Sequence, residues 1–181
     1  APALAGSVGG RPKASPVINL CSFLVDKSKL NVEIDINGQR QNVQIPQGSA
    51  DQSFTQLSVG DVAQFNGDEV EVALVEIAHA RSGDKGNHSN IGVIARKVEY
   101  LPWIRANLTE ENVAKYMQHV LNPETSKVIR YEIEGFNALN FMLENALGGG
   151  GIASLRIDPQ GKAFAQQLLD MKVRVPKGLV K

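Results

Sequence analysis

The chain has 181 residues, 43% of them hydrophobic and 21% charged, the composition of a folded globular protein rather than a disordered one. Nineteen basic side chains balance nineteen acidic ones, and neither half is a charged tail: residues 1–69 carry 5 basic and 7 acidic groups, residues 70–181 carry 14 and 12. No nucleic-acid partner is expected without a basic excess, and no membrane partner, since no apolar stretch approaches the ~20 residues of a span.

Residues 1–16 are rich in Gly, Pro, Ala and Ser and read as a flexible linker. Gly6-Ser7-Val8-Gly9-Gly10-Arg11-Pro12-Lys13 is not a phosphate loop, because no Ser or Thr follows the lysine and Pro12 opposes a helix start. The absence of an initiating Met and of a secretory pattern points to a segment cut from something longer, with a cytoplasmic location by default. The single cysteine, Cys21, excludes an internal disulfide framework and fits a reducing compartment. It lies in the apolar run Val17–Val25, where a buried structural thiol is expected.

From Leu30 the pattern alternates. Val32, Ile34 and Ile36 are separated by Glu33 and Asp35, Asn37-Gly38 supplies a turn, and Val43 and Ile45 return, which predicts a β-hairpin. Pro46–Gly60 is a polar, breaker-rich loop. Residues 17–69 together read as a hairpin and loop that connect to, or remain from, a larger domain.

Beyond it, 70–78 is expected as a strand and Ile91–Ala95 as a short buried one. Thr109 followed by Glu110 and Glu111, with Val113, Tyr116, Met117 and Val120 at helical spacing, predicts a helix over 110–121. Val128–Ile133 alternates as a strand. Leu139, Met142, Leu143 and Ala146 share a face at helical spacing, so Phe136–Leu147 is expected as a second helix, ended by Gly148–Gly151. Ile152–Ile157 is then a strand, Pro159–Met171 a helix and Lys172–Val175 a final strand. This alternation gives a small α+β or split βαβ sandwich.

Two segments carry more polar chemistry than packing needs. The first, Ala78 to Gly92, is expected as a connection between strands and holds His79, Arg81, Ser82, Asp84, Lys85, His88 and Asn90 among three glycines. A tight turn at Gly83 and Gly86 with Arg81 and Lys85 beside it can cradle a carboxylate or phosphate. Equally, Asp84 and Asn90 can cap an ordinary turn. His79, Asp84 and His88 match no standard metal-ligand spacing, so no metal is expected. His119 falls on the polar side of its helix. The second segment, Gly148–Gly151 with Ser154 and Arg156, has more glycine than a helix end requires, so Gly149 and Gly150 are candidates for close approach to a ligand or subunit, with Ser154 and Arg156 as polar anchors. No catalytic signature names a reaction.

His79-Ala80-Arg81-Ser82-Gly83-Asp84-Lys85-Gly86, followed by Asn90-Ile91-Gly92-Val93, resembles the signature of the acyclic terpene utilisation (Atu-type) family. Tyr100-Leu101-Pro102-Trp103, Ala138-Leu139-Asn140-Phe141, Leu147-Gly148-Gly149-Gly150, Ser154-Leu155-Arg156, Asp158 and Gly161-Lys162 follow in the family's order. The resemblance implies that 70–181 is the family's ferredoxin-like module, preceded here by the β-hairpin segment. It also implies a link to catabolism of citronellol- and geraniol-type acids as CoA thioesters. No cofactor is expected beyond a CoA thioester substrate. The partner is a second copy of the chain or the family's large N-terminal domain. Two functions follow. One is an accessory or oligomerisation domain; the other is an enzyme domain that binds a branched-chain acyl-CoA or carboxylate at the His79–His88 segment.

Overall fold

The chain is described here from a computed structural model, which covers residues 60–180 and 23–46 together with the single positions 16, 18, 21 and 48. Nearly all of the expected linker over 1–16 and most of the loop over 46–60 lie outside the described residues. The chain divides into two compact units, Cys21–Leu57 and the remainder.

The smaller unit is the hairpin read from the alternation. Strands β1 (Glu33–Ile36) and β2 (Gln39–Asn42) pair antiparallel from Glu33↔Asn42 to Ile36↔Gln39. Asn37 and Gly38 both take positive φ, 55° and 85°, as the two-residue turn that suits right-twisted strands demands. Asp35 fastens the turn by accepting from the Gly38 N–H at 2.9 Å and pairing with Arg40 at 3.2 Å. Every position of both strands is exposed. The expected burial of Cys21 is overturned with it: the thiol is free and exposed, and Phe23 in the same apolar run is 77% exposed. An apolar run marks what could be buried, not what is.

In the larger unit, β4 (Ala78–Lys85), β5 (His88–Ala95), β6 (Val128–Ile133) and β7 (Ala138–Leu143) form one antiparallel sheet in the order β4-β5-β7-β6. A separate pair joins β3 (Glu69–Ala73) to β8 (Lys172–Pro176). Helices α1 (Leu101–Asn107), α2 (Glu110–Tyr116) and α3 (Phe164–Leu169) supply the other layer. Ile91, Val93, Phe141 and Leu143 from one face of the sheet share a single core with Ile104, Val113, Met117, Phe164 and Leu168. This is the α+β class the sequence predicts.

Several boundaries are corrected. Phe136–Leu147 is no helix: it is the end of a turn, then β7, then a further turn at 144–145. Leu139, Phe141 and Leu143 alternate inward, and β7 is hydrogen-bonded to β5 on one side and β6 on the other. The connection expected over 78–91 is itself a hairpin, β4 and β5 joined by a two-residue turn at Gly86-Asn87. The strand expected over 70–78 stops at Ala73, where a 3-10 turn at Leu74–Glu76 redirects the chain. Ile152–Ile157 forms turns rather than a strand, with Leu155 94% exposed. No helix ends at Gly148: the glycine run follows strand β7 and its turn.

The helices at 110 and 159 are shorter than their periodicity suggests. The Thr109 hydroxyl does cap α2, accepting from the Asn112 N–H at 3.1 Å. Asp158 accepts from the N–H groups of Lys162 and Ala163 at 2.9 and 2.8 Å ahead of α3. Residues 60–67 run along α1: the Ala63 N–H donates to the Pro102 carbonyl at 3.1 Å, and Phe65 meets Trp103 edge-on at 5.7 Å. Among the described residues no helix is long and apolar enough to cross a membrane.

Candidate functional site

β4 is an edge strand, and its pleat sorts the polar residues of the first segment onto different sides. Ala78 and Ser82 are buried toward the helices, while His79 and Arg81 are exposed on the face that no helix among the described residues covers. Opposite them on β5 stand Ile94, paired with His79, and Gly92, paired with Arg81.

Most of the hairpin's other polar groups are engaged inside the protein. Buried Ser82 donates to the Gly161 carbonyl at 2.6 Å and accepts from the Ala165 N–H at 2.9 Å, tying β4 to the start of α3. Asp84 meets Lys162 at 3.4 Å. Its own backbone N–H, then Lys162 and Lys85, hold its carboxyl below the usual aspartate range despite some desolvation. Lys85 is exposed and, among the described residues, reaches only the Asp84 carbonyl, at 3.0 Å. His88 accepts the Asn145 N–H on Nδ1 at 2.9 Å, and Asn90 donates to Asn140 across β5 and β7 at 3.1 Å.

His79 and His88 sit at opposite ends of the β4–β5 hairpin, since their partners Ile94 and Lys85 do. Six residues of strand, ~20 Å, separate those ends, so the two imidazoles cannot share one ion. His79 is instead met by Arg96, whose Nη1 lies 3.3 Å from Nε2. His119 pairs with Gln167 at 2.6 Å on an exposed surface.

The second segment does come to the first. The Gly149 N–H donates to the Asn87 side-chain oxygen at 2.7 Å, and the Leu147 N–H to the Asn87 carbonyl at 3.1 Å. Gly150 lies so near Gly86 that a β-carbon on it would stand 3.0 Å from the Gly86 carbonyl oxygen. The close approach that four glycines suggest is therefore to the β4–β5 turn. Arg156 donates to the Val120 carbonyl at 2.9 Å, and the Ser154 hydroxyl accepts the Arg156 N–H at 3.2 Å. Neither points to a group outside the protein.

What remains on the uncovered face is a trough of about 350 Å³ over β4, β5 and β7, lined by His79, Arg81, Gly92, Ile94, Ile133, Phe136 and Ala138 among others. Phe136 stands 71% exposed at its rim. The sequence points to the two polar members and not to the apolar ones: Phe136 and Ala138 fall in a stretch whose spacing suggests a helix, and nothing in a strand's own pattern tells that Ile94 and Ile133 face the uncovered side. The usable signal was the period-two spacing of His79 and Arg81 about small Ala80.

The profile of the AtuA ferredoxin-like domain matches residues 72–174, more than half of the chain and all of the four-stranded sheet. The chain belongs to the AtuA ferredoxin-like domain family. The resemblance carried by His79–Gly86 and the later motifs is thereby met, together with the ferredoxin-like α+β fold. Neither a curated protein nor a solved structure matches the chain. In this AtuA-type module β4 occupies the edge beside β5, and the last strand, β8, pairs with β3 outside the main sheet.

Proposed function

We propose that this AtuA-type module is an accessory, assembly-directing domain. It serves a cytoplasmic protein of acyclic terpene utilisation, in the catabolism of citronellol- and geraniol-type acids as CoA thioesters. The observation that carries this reading is the smaller unit. A two-stranded hairpin of four-residue strands is not independently stable in water. Here it exposes Ile34 and Ile36 together with Phe23 and Leu24. Such surface is stabilised by a partner, either a second copy of the chain or the family's large domain. The engagement of Ser82, Asp84, His88 and Asn90 in internal bonds supports a scaffolding role over a catalytic one.

Light scattering at micromolar concentration tests it. The chain is expected to exceed its monomer mass, and Ile34→Glu with Ile36→Glu is expected to return it to the monomer. A chain that is monomeric both alone and with the family's large domain removes the reading. The second reading, a domain that binds a branched-chain acyl-CoA or carboxylate at the His79–His88 hairpin, is favoured by one feature, the trough beside Arg81.

A further inference from the structure

We propose that the trough on the uncovered sheet face binds an amphipathic carboxylate, its chain lying on the apolar wall and its head group on Arg81. The inference deepens the second reading above and is independent of the assembly reading, which rests on a different unit.

Its volume of about 350 Å³ lies at the small end of the ~300–1,000 Å³ typical of small-molecule pockets. The walls are unequal. Ile94, Ile133, Phe136 and Ala138 make one side wholly apolar, while His79 and Arg81 make a polar lip along the β4 edge. A wall of that kind takes a hydrocarbon chain, and a guanidinium lip takes an anion at one end of it.

Arg81 is available for that task. It forms no ion pair with any described residue, and the acids that meet other cations in this unit are committed elsewhere: Asp84 to Lys162, Glu132 to Arg105, Glu69 to Arg174, Asp68 to Lys177. His79 stands beside Arg81 on the same lip, with Nη1 of Arg96 3.3 Å from its Nε2.

Gly92 makes the space. It stands opposite Arg81 on β5, and a β-carbon there would meet nothing closer than 3.8 Å, at the Arg81 carbonyl. The backbone thus tolerates a side chain at position 92 and the trough does not. A larger residue would fill the space between the guanidinium and the apolar wall.

Decanoate is the probe, with decanol as its uncharged counterpart and inorganic phosphate as the anion without a chain. Thermal unfolding and titration calorimetry are expected to show a melting temperature that rises with decanoate concentration. Decanol should bind more weakly, and phosphate should give no shift. Arg81→Met should weaken decanoate about tenfold while leaving decanol unchanged, and Gly92→Leu should abolish both. If Gly92→Leu fails to fold, Phe136→Ala is the second variant, expected to weaken decanoate and decanol alike. Lys115→Met, a charge removed from the helical layer, is expected to change neither.

Three results overturn the proposal. They are no shift with decanoate, a shift that survives both Arg81→Met and Phe136→Ala, and a wild-type dimer that Phe136→Asp splits, which would give the trough to a second copy. The first two do not bear on the mass change expected from Ile34→Glu with Ile36→Glu; the third shares that readout, and which of the two variants splits the dimer tells the surfaces apart.

Discussion

Gly150 packs its backbone against the carbonyl of Gly86, in a conformation with φ of 89° that leaves 3.0 Å between that oxygen and a hypothetical β-carbon. The contact joins the turn between β4 and β5 to the glycine run after β7, and it has two requirements, no side chain and a left-handed backbone. Gly150→Ala violates both. It is expected to lower stability by ~1–3 kcal/mol, read as a lower urea midpoint with an unchanged slope. Full stability in that variant would mean that the two turns separate at little cost.

Ser82 provides a sharper separation of structure from ligand binding. Its hydroxyl bridges the Gly161 carbonyl and the Ala165 N–H. Ser82→Ala leaves the buried Ala165 N–H without its acceptor, while the Gly161 carbonyl keeps only the Phe164 N–H at 3.4 Å, at a cost of ~1–3 kcal/mol. Denaturant unfolding is expected to show that loss, and decanoate affinity to stay unchanged in the folded variant. A loss of affinity without a loss of stability would return Ser82 to the binding site.

Arg105 and Glu132 form a nearly buried pair. Both Nε and Nη2 reach the same carboxylate oxygen at 3.0 Å, and the other oxygen, Oε1, has no partner. Only 10% of the Glu132 side chain is exposed. Arg105→Met strands that carboxylate and is expected to cost ~3–5 kcal/mol. Arg105→Met with Glu132→Leu removes the charge as well and is expected to recover most of the loss. A thermodynamic cycle over the four proteins measures the coupling; additive losses would show that the pair is solvated.

Glu69 predicts the acid limb of stability. Burial alone would raise its carboxyl, and only 2% of the side chain is exposed. The Asn66 N–H, the Arg174 guanidinium and the Gly67 N–H together outweigh that and leave it below the usual glutamate range. A carboxylate lowered in the folded state contributes stability that is present above its unfolded value and lost as pH falls through the folded one. The free energy of unfolding is therefore expected to decline with acid below about pH 4. Glu69→Gln should be less stable near neutrality and show a flatter decline. An unchanged acid slope in that variant would place the titration elsewhere.

The features that the sequence settled were those governed by neighbours in the chain. Asn37-Gly38 takes two positive φ angles because Asn and Gly tolerate them and that turn matches the right-handed twist of its strands, and Thr109 caps α2 because its hydroxyl lies three residues from the N–H it serves. Composition and motif order fixed the α+β class and the family for the same reason, since neither depends on which strand meets which.

Tertiary pairing decided the rest. Leu139, Met142, Leu143 and Ala146 fit a helical face, yet Leu139, Phe141 and Leu143 also alternate, and a short apolar run satisfies both periods. The choice fell to β5 and β6, whose ladders take up the backbone groups on both sides of β7. His79–Lys85 reads as a loop because a strand at the sheet edge, with one face uncovered, needs no apolar residue on that face. The trough has no local signature: Gly92, Ile94, Phe136 and Ala138 lie up to 46 positions apart and meet Arg81 only because β4, β5 and β7 are neighbours.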